Sequence, residues 1–135
     1  MKNLAFLTLL ILSLASCKQD PVRTDEIFTL SFEQTRTLQT SLENFEITFT
    51  DLKEDSRCPQ NVNCIWAGRA VVEISVNEHK MLLGVGDLST GGTEYVQKQE
   101  YNGLVYELID VFFDEEKNRG LEKHYAISIK VSRAN

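Results

Sequence analysis

The runs Phe45-Glu46-Ile47-Thr48-Phe49-Thr50 and Ala70-Val71-Val72-Glu73-Ile74-Ser75-Val76 flank the stretch Asp55-Ser56-Arg57-Cys58-Pro59-Gln60-Asn61-Val62-Asn63-Cys64-Ile65-Trp66-Ala67-Gly68. In both runs every second residue is apolar. A strand turns successive side chains to opposite faces, so this pattern reads as two half-buried strands joined by a cysteine-bearing bend. The bend holds two of the three cysteines, one of the two prolines and the only tryptophan.

The same alternation extends outward in both directions. Phe28, Leu30 and Phe32 share one face upstream, and Thr35 to Thr40, with Leu38, is a weaker strand. Downstream, Asn77-Glu78-His79-Lys80 reads as a hairpin turn into Met81-Leu82-Leu83. Gly84, Gly86, Gly91 and Gly92 mark a loop or irregular edge. Tyr95 to Tyr101 is a polar strand. Asn102-Gly103 is a strong hairpin signal, because both residues tolerate the positive φ of a type I′ turn. Leu104 to Phe113 reads as a strand apolar on both faces, and Asp114 to Gly120 as a charged loop. Tyr125, Ile127, Ile129 and Val131 form the apolar face of the last strand. No stretch beyond the N-terminal leader keeps a helical period over ten residues. Seven to nine short strands predict an all-β domain, an antiparallel β-sandwich (immunoglobulin-like or similar) or, alternatively, a small β-barrel.

The N-terminus has another composition. Met1-Lys2-Asn3 is basic, Leu4 to Leu14 is almost wholly apolar, and Ala15-Ser16-Cys17 follows. The apolar run is too short to span a bilayer and reads as a secretory signal. Leu14-Ala15-Ser16-Cys17 resembles the lipobox of bacterial lipoproteins. That resemblance implies cleavage before Cys17 and acylation of its sulfur and amine, so palmitate or a similar chain would hold the protein to a membrane. The resulting division is a signal peptide over 1–16, a lipidated cysteine and tether over 17–26, and the β-domain over 27–135. Lys18 after the cysteine is not the Asp that retains enterobacterial lipoproteins in the inner membrane. The expected location is therefore the cell outer membrane, with the domain in the periplasm or at the surface.

With Cys17 taken by lipid, Cys58 and Cys64 remain as an even pair in an exported chain, most simply a disulfide. Their spacing is not that of a redox-active pair at a helix N-terminus. Pro59 stiffens the ring, Arg57 is expected to pair with Asp55 or another carboxylate, and Gly68 permits a bulge or close backbone approach. Trp66, two residues beyond Cys64, is expected on that cysteine's strand face, over the sulfurs or plugging the end of the sandwich.

The run Asp55-Ser56-Arg57-Cys58-Pro59 followed by Cys64-Ile65-Trp66-Ala67-Gly68 resembles a motif of small bacterial envelope lipoproteins common in Bacteroidetes. The likeness extends over about Ile27 to Val131, with the cysteine loop its specific part. It implies location and fold, and no settled activity.

Charge and motifs exclude several functions. The formal charge is −6, and loss of the leader with Lys2 makes it one unit more negative. With no Lys/Arg cluster, the chain is unsuited to coating nucleic acid. It has no Gly-x-Ser-x-Gly elbow and no His-Glu-x-x-His motif. The acidic run Asp114-Glu115-Glu116 lacks the ligand alternation of a calcium loop. His79 and Met81, two apart on a strand, form the only candidate metal pair, a weak copper site; His124 stands alone. No cofactor and no catalytic residue is expected. The anticipated role is a non-catalytic binding or structural accessory module, with another envelope protein or a glycan as partner. The alternatives are an inhibitor lipoprotein acting through the Cys58–Cys64 loop and a copper-binding envelope protein.

Overall fold

The structure, a computed structural model, describes residues 20–59, 62–89, 95–113 and 125–135. Among them are nine strands and no helix: β1 (Val22–Arg23), β2 (Ile27–Ser31), β3 (Thr35–Gln39), β4 (Asn44–Asp55), β5 (Arg69–Val76), β6 (His79–Gly86), β7 (Lys98–Tyr101), β8 (Leu104–Phe113) and β9 (Tyr125–Arg133). They form two sheets, ordered β1-β3-β4-β5-β6 and β2-β9-β8-β7. The expected β-sandwich is therefore correct, and the sheets do not close into a barrel.

The alternation read from the sequence is what lets the sheets pack. Leu38, Phe45, Ile47, Phe49, Val72, Ile74, Val76, Met81 and Leu83 point inward from the first sheet. Phe28, Leu30, Leu104, Tyr106, Leu108, Ile127, Ile129 and Val131 meet them from the second. Burying apolar surface stabilises by about 25 cal/mol per Å², and each sheet can bury its apolar face only against the other.

Chain neighbours do not always become sheet neighbours. β2 and β3 are joined by residues 32–34, yet β2 pairs antiparallel with β9 while β3 pairs with β4. In that crossing the Glu33 N–H donates to the Phe49 carbonyl at 2.8 Å. Phe32 does not continue the buried face of β2. It stands partly exposed, edge-on to Phe49 with ring centroids 5.6 Å apart. The domain also starts before Ile27. Val22 is buried and pairs with Leu38 in a parallel register, so part of the expected tether belongs to the sandwich.

Two further readings change. β8 is not apolar on both sides: Leu104, Tyr106 and Leu108 face inward, then a register shift between Leu108 and Asp110 brings Val111 in and leaves Phe112 and Phe113 partly exposed. Gly84 lies within β6 rather than in a loop, and a Cβ there would meet the Leu88 side chain at 2.6 Å. The absent side chain makes room for Leu88 on the outer face of the sheet.

The hairpins match their residue types. Asn102 and Gly103 have φ of 51° and 70°, and Asn77 and Glu78 have 46° and 70°, the positive values of type I′ turns. The expected strand from Tyr95 shortens to β7. Before it, Val96 and Gln97 step between sheets: Val96 O accepts from Gly84 N at 2.9 Å and Gln97 O from Leu108 N at 3.0 Å.

Tyr106 is fully buried, and its hydroxyl has no hydrogen-bond partner among the described residues. Burial pushes its ionisation well above the usual tyrosine range. Removing a buried hydroxyl that makes no bond relieves desolvation without leaving an orphan. Tyr106→Phe is therefore expected to leave stability unchanged or raise it by about 1 kcal/mol, whereas Tyr106→Ala should cost about 3–5 kcal/mol. Urea unfolding of both variants checks this.

Candidate functional site

The two ends of the sandwich differ. At one end β3–β4, β5–β6 and β7–β8 are joined by tight turns at 40–43, 77–78 and 102–103. At the other lie the cysteine bend between β4 and β5, the end of β6, and the facing ends of β8 and β9. Among the described residues the bend is the most elaborately braced feature of that loop end.

Cys58 and Cys64 form the expected disulfide, with Cα atoms 5.9 Å apart. Closing so short a ring stabilises by about 2 kcal/mol in the chain-entropy description. Arg57 grips Asp55 with two bonds, Nε to Oδ1 at 2.8 Å and Nη2 to Oδ2 at 2.9 Å. Its third nitrogen, Nη1, reaches Asp110 Oδ1 on the other sheet at 3.2 Å. The register shift in β8 falls beside Asp110, whose carboxylate also accepts from the Val111 N–H at 2.7 Å. Arg57 thus ties the bend to both sheets. The Asp110 link is exposed and contributes at most about 1 kcal/mol.

The base of the bend is closed by backbone contact. Ser56 N donates to Arg69 O at 2.8 Å, and Asp87 N to Gly68 O at 3.1 Å. Gly68 approaches Ser56 so closely that a Cβ would collide with its carbonyl oxygen, the close approach anticipated for this glycine. Beside it, the Arg69 guanidinium bonds Glu54 Oε2 at 3.0 and 3.1 Å and lies 5.0 Å from the centre of the Tyr95 ring.

Trp66 departs from expectation. Ile65 and Trp66 form a bend rather than a strand, so period-two reasoning from Cys64 does not apply to them. Trp66 is 63 % exposed, Ile65 96 % and Val62 56 %. The bracing therefore holds three apolar side chains out in water.

His79 and Met81 do not come together as a metal pair. Met81 is buried in the core, while the His79 ring stacks on Tyr101 with centroids 4.0 Å apart. No three His, Cys, Asp or Glu side chains among the described residues gather as metal ligands. Cys17, Asp114–Gly120 and His124 lie outside the described residues. Sequence reasoning missed Asp110, 53 residues from Arg57, and the Glu54–Arg69–Tyr95 cluster. The only signal for either was an unpaired-looking charge near a strand end. No family model matches the chain, and comparison with curated proteins and with solved structures finds no match.

The carboxylates of the bend set its acid response. Hydrogen bonds from Arg57 hold the Asp55 carboxyl below the usual range, and Arg69 does the same for Glu54. A lowered folded-state value adds stability above the unfolded value, near 4, and that stability disappears as pH falls through the folded value. These two groups should add no slope to stability between pH 5 and 7, and a loss below about pH 4. Urea midpoints across that range should show the loss reduced in Asp55→Asn, which remains less stable than the parent at neutral pH.

Proposed function

We propose that this chain is a lipid-anchored protein of the bacterial cell envelope, placed in the outer membrane, whose sandwich is a non-catalytic binding module. The observation that carries the reading is Leu14-Ala15-Ser16-Cys17 at the end of a short apolar leader. Cys17 would be acylated at its sulfur and amine. Several acyl chains, at about 0.8 kcal/mol per buried methylene, give a stable anchor where one gives a weak one. Membership in the small Bacteroidetes-type lipoproteins suggested by the cysteine motif belongs to the same reading.

The described domain supports a binding role through its construction. A rigid two-sheet scaffold presents a bend whose conformation is fixed by a disulfide and by Arg57. A segment already ordered before contact loses less conformational entropy when it binds. The contact end is therefore the loop end, and the module meets another envelope component there without turning it over.

Expression of the full chain in a bacterial host tests the anchor. The parent protein should fractionate with the outer membrane, and its intact mass should show loss of residues 1–16 and addition of acyl chains. Cys17→Ser should leave the membrane fraction or retain its leader. An unacylated parent in the soluble fraction would overturn the reading.

A further inference from the structure

We propose that the exposed Val62, Ile65 and Trp66 of the cysteine bend dock on the phospholipid bilayer that holds the chain, giving the protein a second, protein-borne membrane contact. This deepens the lipid-anchored reading and rests on it. The bilayer is the envelope component that the loop end meets.

The first support is the loop itself. Three apolar side chains project from one short segment, with exposures of 56 %, 96 % and 63 %. They are not exposed because the segment is slack. The disulfide, the Arg57–Asp55 fork and the Gly68–Ser56 approach fix their base. Tryptophan suits the boundary between headgroups and acyl chains, where an apolar ring carrying one N–H donor is at home, and isoleucine suits the hydrocarbon beneath it. The net negative charge of the chain favours a zwitterionic lipid surface over an anionic one.

The second support is the direction of the chain. β1 pairs parallel with β3, and both run towards the tight turn at 40–43, away from the loop end. Asp20 therefore lies on the cysteine-bend side of Val22. Only two residues, Lys18 and Gln19, lie between Cys17 and Asp20 along the chain, so three residue steps span at most about 11 Å. Asp20 is held level with Arg36, which donates to its carbonyl at 3.1 Å and stands opposite Ile47. From Ile47 to Asp55 β4 climbs about 25 Å at ~3.3 Å per residue. So short a tether keeps the bilayer close to the β1 edge. A surface that meets both that edge and the apex of the bend crosses the strands obliquely, and the sandwich leans on it. Two attachments that share one surface reinforce each other, the acyl anchor holding the weaker protein contact at high effective concentration.

Trp66 is the only tryptophan, so its emission reports this contact directly. The acylated product, expressed from the full chain, is reconstituted into phosphatidylcholine–phosphatidylethanolamine vesicles with or without bromine on the acyl chains. The protein should float with the vesicles, and Trp66 emission should be blue-shifted and at least halved by the brominated lipid. Ile65→Asp, at an exposed site, should float equally but lose most of the quenching. Flotation with unquenched, water-like emission would overturn the docking while leaving the anchor intact. Failure to float would overturn both. A photoreactive side chain at position 65 should label lipid in intact cells; labelling of a protein instead would overturn the bilayer as occupant.

Discussion

Neither sheet of this protein can bury its apolar face alone. Phe45, Ile47, Phe49, Val72 and Ile74 on one sheet need Tyr106, Leu108, Ile127 and Ile129 on the other, and almost everything else in the fold serves to keep those two faces together. The split of β2 from β3 follows from that need. Had the two stayed paired as a hairpin, β9 would have an open edge and Phe28 and Leu30 would lose the sheet that places them in the core. The short crossing at 32–34 and the step at 96–97 bind the layers by backbone hydrogen bonds at opposite sides of the sandwich.

Once the layers are packed, the work is divided between the ends. The turn end is economical: positive-φ residues at Asn77, Glu78, Asn102 and Gly103 reverse the chain in two residues each. The loop end carries the disulfide, the Arg57 fork and the exposed Ile65–Trp66 pair. A bend stapled this firmly could have folded its apolar side chains back onto the core; it holds them outward. That combination of rigid base and apolar apex links the fold to the proposed envelope role, because contact surfaces are built most cheaply from segments that are ordered in advance.

How much of this was legible follows from the range of each interaction. Alternation is local, so β4, β5, β8 and β9 stand out in the sequence, and Asn102-Gly103 announces its turn because φ preference belongs to single residues. The Cys58–Cys64 pair was legible because only two cysteines remained after Cys17. Sheet membership was not, since β2 and β3 have strand patterns that say nothing of which partner they take. The bulge that turns Asp110 outward towards Arg57 breaks the period without any glycine or proline to signal it. Trp66 was misplaced because strand geometry was extended into a bend, and the early start of the domain at Val22 was hidden by a polar neighbourhood and Pro21.

The separation of β2 from β3 is the most direct point at which to challenge this description, and a nuclear Overhauser spectrum of isotopically labelled protein decides it. Cross-strand contacts should join Leu30 to Ile127 and Phe28 to Ile129, with Val22 beside Leu38 in a parallel ladder. A ladder joining β2 directly to β3 as a hairpin, with β9 left unpaired on that side, would contradict it.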